Sequence, residues 1–301
     1  MAAEPVAAAG VADLAPRGGR SRIISLHRIV RQRSLLVGAA LLLAVVAIAV
    51  RPSLFEPHDP VLGRLLNANA APGGSYWLGA DAQGRDVFSR IIAGTRSSLV
   101  MGLIPVAIGL SVGGLLGLLA GYYQRLGDII IMRFIDMMMA FPGIILALTI
   151  VAALGTRHGS NIAKAMVAIG IALIPTFARV TRGSVLSAKE YLYIDAARSI
   201  GCGDRRIMFV HLLPNVVAPL IVLGTLSIAG AVLVGASLSF LGLGAQPPSI
   251  DWGSMVNDGR EKLATAWWIS TFPGVALMIT IISINLVGDG VRDLLDPRLR
   301  M

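Results

Sequence analysis

The chain has 301 residues, 55% of them hydrophobic and only 14% charged, with a net charge of +9. Soluble domains carry about 25% charged residues, so this composition excludes an ordinary soluble enzyme and points to an integral membrane protein. The basic excess is scattered arginine, with lysine only at Lys164, Lys189 and Lys262. It lacks the clustered cations that counterion release requires, so no nucleic-acid partner is expected.

The chain opens on a basic tail, 1–33, with six arginines and too little apolar surface to fold alone; it is expected to be partly disordered. Spans follow, each needing roughly 20 apolar residues to cross a core of about 30 Å. Residues 34–50 form the first uncharged run. A cleavable signal peptide reads similarly, but the lead is long and holds Glu4 and Asp13, so the segment is expected to stay as a helix. Residues 84–96 alternate arginine with Val87, Phe88, Ile91 and Ile92. They suggest an amphipathic helix along the outer interface, or else the start of the second span, 97–124. That span repeats Gly109, Gly113, Gly117 and Gly121 on one face. Such spacing lets backbones approach closely, either within this chain or at a seam with another subunit.

The third span, 137–156, is expected to begin near Ile129. Arg133 and Asp136 lie three residues apart on it and are expected to pair. The fourth, 165–178, is extended by Lys164 and Arg179, which can snorkel outward. The long uncharged run 211–250 supplies the fifth span and then a loop over 242–248. Residues 263–288 supply the sixth. Prolines 105, 142, 175, 219 and 273 lie in or near spans and can bend them; Phe-Pro-Gly occurs at 141–143 and again at 272–274. With the N-terminus inside, 17 of the 26 Lys and Arg fall on inner segments, which puts both termini in the cytoplasm.

Catalytic patterns are absent. Ala163, Ala188 and Glu261 precede the three lysines, so no phosphate-binding Gly-x-x-x-x-Gly-Lys loop exists. The lone Cys202 excludes an internal disulfide, and no metal cluster is spaced in the sequence. No span carries a chain of Asp, Glu or His for a proton relay, which counts against a proton-coupled carrier.

The charged island is residues 190–214. It reads as helix from Lys189 to Ser199, is broken by Gly201 and Gly203, and resumes as helix near Asp204. Asp195-Ala196-Ala197, Gly201 and Leu213-Pro214 stand at the spacing of the Glu-Ala-Ala, Gly and Leu-Pro signature, so the chain resembles the ATP-binding-cassette importer permeases. Asp replaces Glu, and His211 stands where that pattern has an aliphatic residue. From about residue 30 onward it resembles the C-type permease of dipeptide and oligopeptide (and nickel) importers. The matching stretches are Leu78–Arg90, Ile131–Gly143, Ala236–Gly244, Gln246-Pro247-Pro248 with Trp252-Gly253, and 288–298.

The resemblance implies an all-α type I permease fold with six transmembrane helices. It implies a first helix and outer loop over 34–96, and a permease core over 97–301 with a coupling loop at 181–213 and an outer loop at 241–267. It implies that Glu190, Tyr191, Asp195, Ala196, Ala197, Arg198 and Gly201 dock on separate ATPase subunits. ATP and Mg would be bound there, and this chain would hold no cofactor. It implies a homologous B-type permease partner, an extracytoplasmic solute-binding protein and a peptide substrate. Gln246, Pro247, Pro248, Trp252 and Arg260 would face that binding protein. The alternatives are import of nickel or another small solute by the same kind of permease, a self-contained secondary transporter or channel, and a membrane scaffold.

Overall fold

The computed structural model describes residues 33–155 and 161–295. The basic tail before residue 33 lies outside them. Among the described residues the chain is helical, and only two isolated β-bridges occur, Gly73 with Tyr76 and Ala80 with Asp86. Both lie in the loop that follows α1.

Helix α1 (Arg33–Val50) is apolar on every side and packs on the last long helix, α9 (Trp268–Leu295). The two approach closely where side chains are missing. A Cβ on Gly38 would lie 2.5 Å from Leu286 Cβ, and one on Gly290 would lie 2.5 Å from Leu35 Cδ1. Helix α2 is continuous from Val87 to Tyr123, 37 residues, with a π-helical turn at Gly109–Gly113. Asp86 caps it, accepting from the backbone N–H of Ser89 at 3.0 Å. Residues 84–96 are therefore not a separate interfacial helix: from Val87 onward they are the first turns of α2. The cap fixes where that helix begins, and Val87 and Ile92 are buried.

The expected third span is two helices. Helix α3 (Arg125–Met139) and helix α4 (Gly143–Leu154) meet at 92°. Pro142 has no N–H to donate and disfavours helical geometry at Phe141 before it, so the first Phe-Pro-Gly breaks the helix. The second does not, because Pro273 lies inside α9. The expected Arg133–Asp136 pair is also corrected. Asp136 accepts from Arg179 on another helix at 2.7 Å, while Arg133 is exposed with no ion pair among the described residues. The longer reach across helices decided this. Asp128 of α3 binds Arg182 through both oxygens at 2.6 Å, and together these pairs clamp α3 to the next helix.

That helix, α5 (Asn161–Lys189), is covered on the most sides, by α2, α4 and α7 as well as α3. A short helix α6 (Leu192–Ser199) follows. Helix α7 is continuous from Asp204 to Phe240 and includes a π-helical segment at Ile207–Leu212. Helix α8 (Trp252–Gly259) lies in the loop before α9. Among the described residues five helices are long and apolar enough to cross a membrane, and six spans result if the bent α3–α4 pair counts as one. The main core runs along α2, α5 and α7, with Phe177, Leu118, Val185, Leu212 and Leu238 fully buried.

Candidate functional site: the loop between α5 and α7

Helix α5 continues to Lys189, so the exposed connection is shorter than 181–213 and is essentially α6 with its flanks. Its ends are tied to one point. Lys189 donates through Nζ to the carbonyl oxygen of Tyr122 at 2.8 Å, and its ammonium also stands 5.4 Å from the Tyr122 ring centroid. The Tyr122 hydroxyl in turn donates to Asp204 Oδ1 at 2.6 Å. The end of α5, the start of α7 and the end of α2 thus share one cluster.

Helix α6 has two faces. Ile194 and Ala197 are buried against the π-helical start of α7, where Ile207, Met208 and Leu212 are also buried. The other face is open: Leu192 is 86% exposed and Ile200 81%. Around these stand Tyr191, Tyr193, Asp195, Ala196 and Arg198, all exposed. The Asp195–Arg198 ion pair is loose, at 3.8 Å, and a solvated pair of this kind contributes little to stability. Two branched aliphatic side chains thus stand exposed, one at the first residue of α6 and one just past its last, with charged residues between them.

Gly201 gives the loop its shape. The N–H of Cys202 donates to Ala197 O and that of Gly201 to Arg198 O, each at 3.0 Å. Gly201 has φ +84°. This is a Schellman cap, which needs a left-handed residue one place past the helix. A side chain added at Gly201 would meet nothing within 4 Å, so glycine is required there by conformation rather than by space. Beyond the cap, the side-chain amide of Asn215 donates to the Tyr193 hydroxyl at 2.9 Å, and burial followed by the neighbouring Tyr191 raises the Tyr193 pKa.

Of the residues singled out in the sequence, Glu190, Tyr191, Asp195, Ala196, Arg198 and Gly201 are exposed in this loop, and Ala197 is turned inward. Leu192 and Ile200 belong to the same surface and were missed. Their signal was available, because large aliphatic residues flank a charged motif.

The glycine ladder faces inward on α5 of the same chain. A Cβ on Gly113 would lie 2.5 Å from Ile174 O, and on Gly117 2.3 Å from Ala178 O. On the opposite side of the fold, Gln246, Pro247, Pro248 and Arg260 are exposed. Trp252 is not. It is 2% exposed, and its indole N–H donates to Ile91 O at 2.9 Å, so it is a core anchor for α8 and cannot meet a partner there. Charge is concentrated nearby. Asp81, buried, binds Arg85 Nε at 2.6 Å and Arg90 Nε at 3.4 Å, and Asp258 stands within 4 Å of both arginines. Partial burial raises the Asp258 pKa, and Arg90 and Arg85 oppose that rise. No group of His, Cys, Asp and Glu among the described residues could hold a metal ion.

Residues 113–301 match the family model described as binding-protein-dependent transport system inner membrane component. The chain is 43% identical over 278 residues to the glutathione transport system permease protein GsiD of Pectobacterium atrosepticum, covering 91% of this chain and 90% of that one. It is 42% identical over 287 residues to a Brucella abortus protein named as a candidate peptide transport system permease, covering 95% of each. Among solved structures, it superposes on the inward-facing MetNI methionine ABC transporter with a TM-score of 0.54 at 21% identity, over 68% of this chain and 96% of that one. It also superposes on an amino acid ABC transporter with a TM-score of 0.52 at 14% identity, over 66% and 91%.

Proposed function

Because the chain belongs to the family of binding-protein-dependent transport system inner membrane components, we propose that α6 is where ATPase subunits drive it and that peptides are what it moves. It is a multi-pass permease subunit of an ABC importer in the bacterial inner membrane. The peptide reading rests on the names of the relatives, one for glutathione, itself a small peptide, and one for peptides. A homologous permease would complete the pathway. Separate ATPases would bind and hydrolyse ATP with Mg, and an extracytoplasmic binding protein would deliver the solute at the Gln246–Pro248 and Arg260 side.

The observation that carries the coupling role is the two-faced α6. Its outer face is apolar and charged by turns, and its inner face is packed on α7. Lys189, Tyr122 and Asp204 hold both flanks of the loop to the end of α2. A push on Leu192 or Ile200 therefore reaches α2, α5 and α7 together. A flexible tether would absorb such a push, whereas a capped helix on a packed base transmits it, because packed interiors are stiff.

The test uses the whole complex in lipid vesicles. Arg198→Glu reverses a charge on the exposed face of α6, beside the Tyr122 hydroxyl that Arg198 also reaches. Gly201→Asp forces a side chain into the left-handed region, which costs about 1–2 kcal/mol and distorts the end of α6. Both are expected to leave the complex assembled while peptide uptake falls by an order of magnitude and ATP hydrolysis no longer rises with loaded binding protein. Uptake at the parent rate in both variants sinks the coupling role. Loss of coupling with uptake confined to non-peptide solutes sinks only the substrate class.

A further inference from the structure

Between α1, the first half of α2, the middle of α7 and α9 lies a cavity of about 530 Å³. Of its twelve lining residues, ten are apolar, and the others are Thr225 and Arg96. The Thr225 hydroxyl is already satisfied, donating to Val222 O at 2.9 Å. Arg96 is exposed, and among the described residues it makes no hydrogen bond or ion pair.

The shape follows from the helices. Helices α1 and α9 touch at Gly38 and stay packed at Leu42 and Val45, and the cavity lies on the side of α1 that faces α2 and α7, from Leu42 to Val50. At 1.5 Å per residue this is a slot of about 12 Å. Helix α2 runs the opposite way along it, from Arg96 to Leu103, so Arg96 stands at the Val50 end. There α1 stops, and Arg51 follows. Under the positive-inside orientation, that end is at the outer membrane–water boundary.

An apolar slot beside lipid does not fill with water, and the Arg96 guanidinium, which lines the slot at the boundary and has no ion pair among the described residues, attracts a phosphate. No acidic side chain lines the slot to receive the ammonium of a zwitterionic headgroup. We propose that this cavity binds one anionic phospholipid of the outer leaflet, with an acyl chain along α1 and its phosphate on Arg96. The side is free of the bent α3–α4 pair, which packs on α5 and the second half of α2. The assignment needs only that the helices cross the membrane in this orientation and does not depend on what is transported.

The intact complex, purified in detergent, would be titrated with phosphatidylglycerol or phosphatidylcholine and read by native mass spectrometry. One phosphatidylglycerol per copy of this chain is expected at about fivefold lower lipid concentration than phosphatidylcholine, the preference that one basic residue supplies at a lipid surface. Arg96→Gln abolishes the preference, and Arg64→Gln, at an exposed arginine outside the cavity, keeps it. Leu103→Trp, filling the slot, removes retention of both lipids. A preference that survives Arg96→Gln overturns the proposal, whether or not the Leu103→Trp protein folds. So does a photo-cross-linker at Val46 that captures a protein instead of lipid in the native membrane.

Discussion

Gly117→Ala tests how α2 and α5 are held together. The added Cβ would sit 2.3 Å from Ala178 O and 2.7 Å from Thr181 Cβ. A relaxed carbon-to-carbonyl contact is about 3.3–3.6 Å, so the helices must separate by roughly 1 Å. The first atom met is backbone and cannot rotate away. Overpacking of this kind costs about 1–3 kcal/mol, and the better helix propensity of alanine returns at most about 1 kcal/mol. A net loss of about 1–2 kcal/mol lowers Tm by a few degrees, at roughly 2–4 °C per kcal/mol for a domain of 150–250 residues. Gly114 is the internal control: its nearest neighbour to an added Cβ is Thr181 Oγ1 at 4.0 Å, so Gly114→Ala should melt at or above the parent temperature. Gly121→Ala should fall between them, because its clash is with the Val185 side chain at 2.9 Å. Thermal unfolding of the purified protein in detergent reads all three. Equal Tm for Gly117→Ala and Gly114→Ala would refute the close-packed ladder.

Asp251 is buried, caps α8 through Ser254 N at 2.7 Å and accepts from Ser239 Oγ at 2.7 Å. Asp251→Ala is expected to lose about 2–3 kcal/mol in the same melting assay, and Asp251→Asn, a competent cap, distinctly less. Trp252→Ala should cost about 3–5 kcal/mol; a neutral outcome would mean that α8 is not anchored by it. Arg179→Ala breaks an exposed pair and should change stability by less than about 1 kcal/mol, while Arg182→Ala, which strands the mostly buried Asp128, should cost about 1–3 kcal/mol. The folded-state pKa of Asp258 is raised above its ordinary 3.8. Between those two values the folded chain binds more protons than the unfolded one, so the stability this group contributes at low pH is lost as pH rises through its folded pKa. The Tm of the parent relative to Asp258→Asn should therefore fall on going from about pH 4 upward, and a rise would reverse the assignment.

The spans were legible because hydropathy is a local property, read one segment at a time. The island at 190–214 was legible for the same reason, and the Gly201 break proved to be a cap with a defined geometry. Relations that depend on the rotation and docking of helices were not legible. Asp136 lay nearer in sequence to Arg133 but pairs with Arg179, because α3 turns through 92° at Pro142 and lies across α5. Two identical Phe-Pro-Gly triplets behave differently, since a break depends on what packs around the proline.

By itself the sequence determined that this is a membrane-crossing chain with a patterned, charged loop between two of its apolar segments. Only the tertiary structure decided which faces are spent internally. The glycine ladder is covered by α5, Trp252 is buried under α8, and Leu192 and Ile200 are left outside. The physical reason is that burial belongs to the surroundings of a residue: the same tryptophan or leucine is core or contact surface according to which helix arrives beside it.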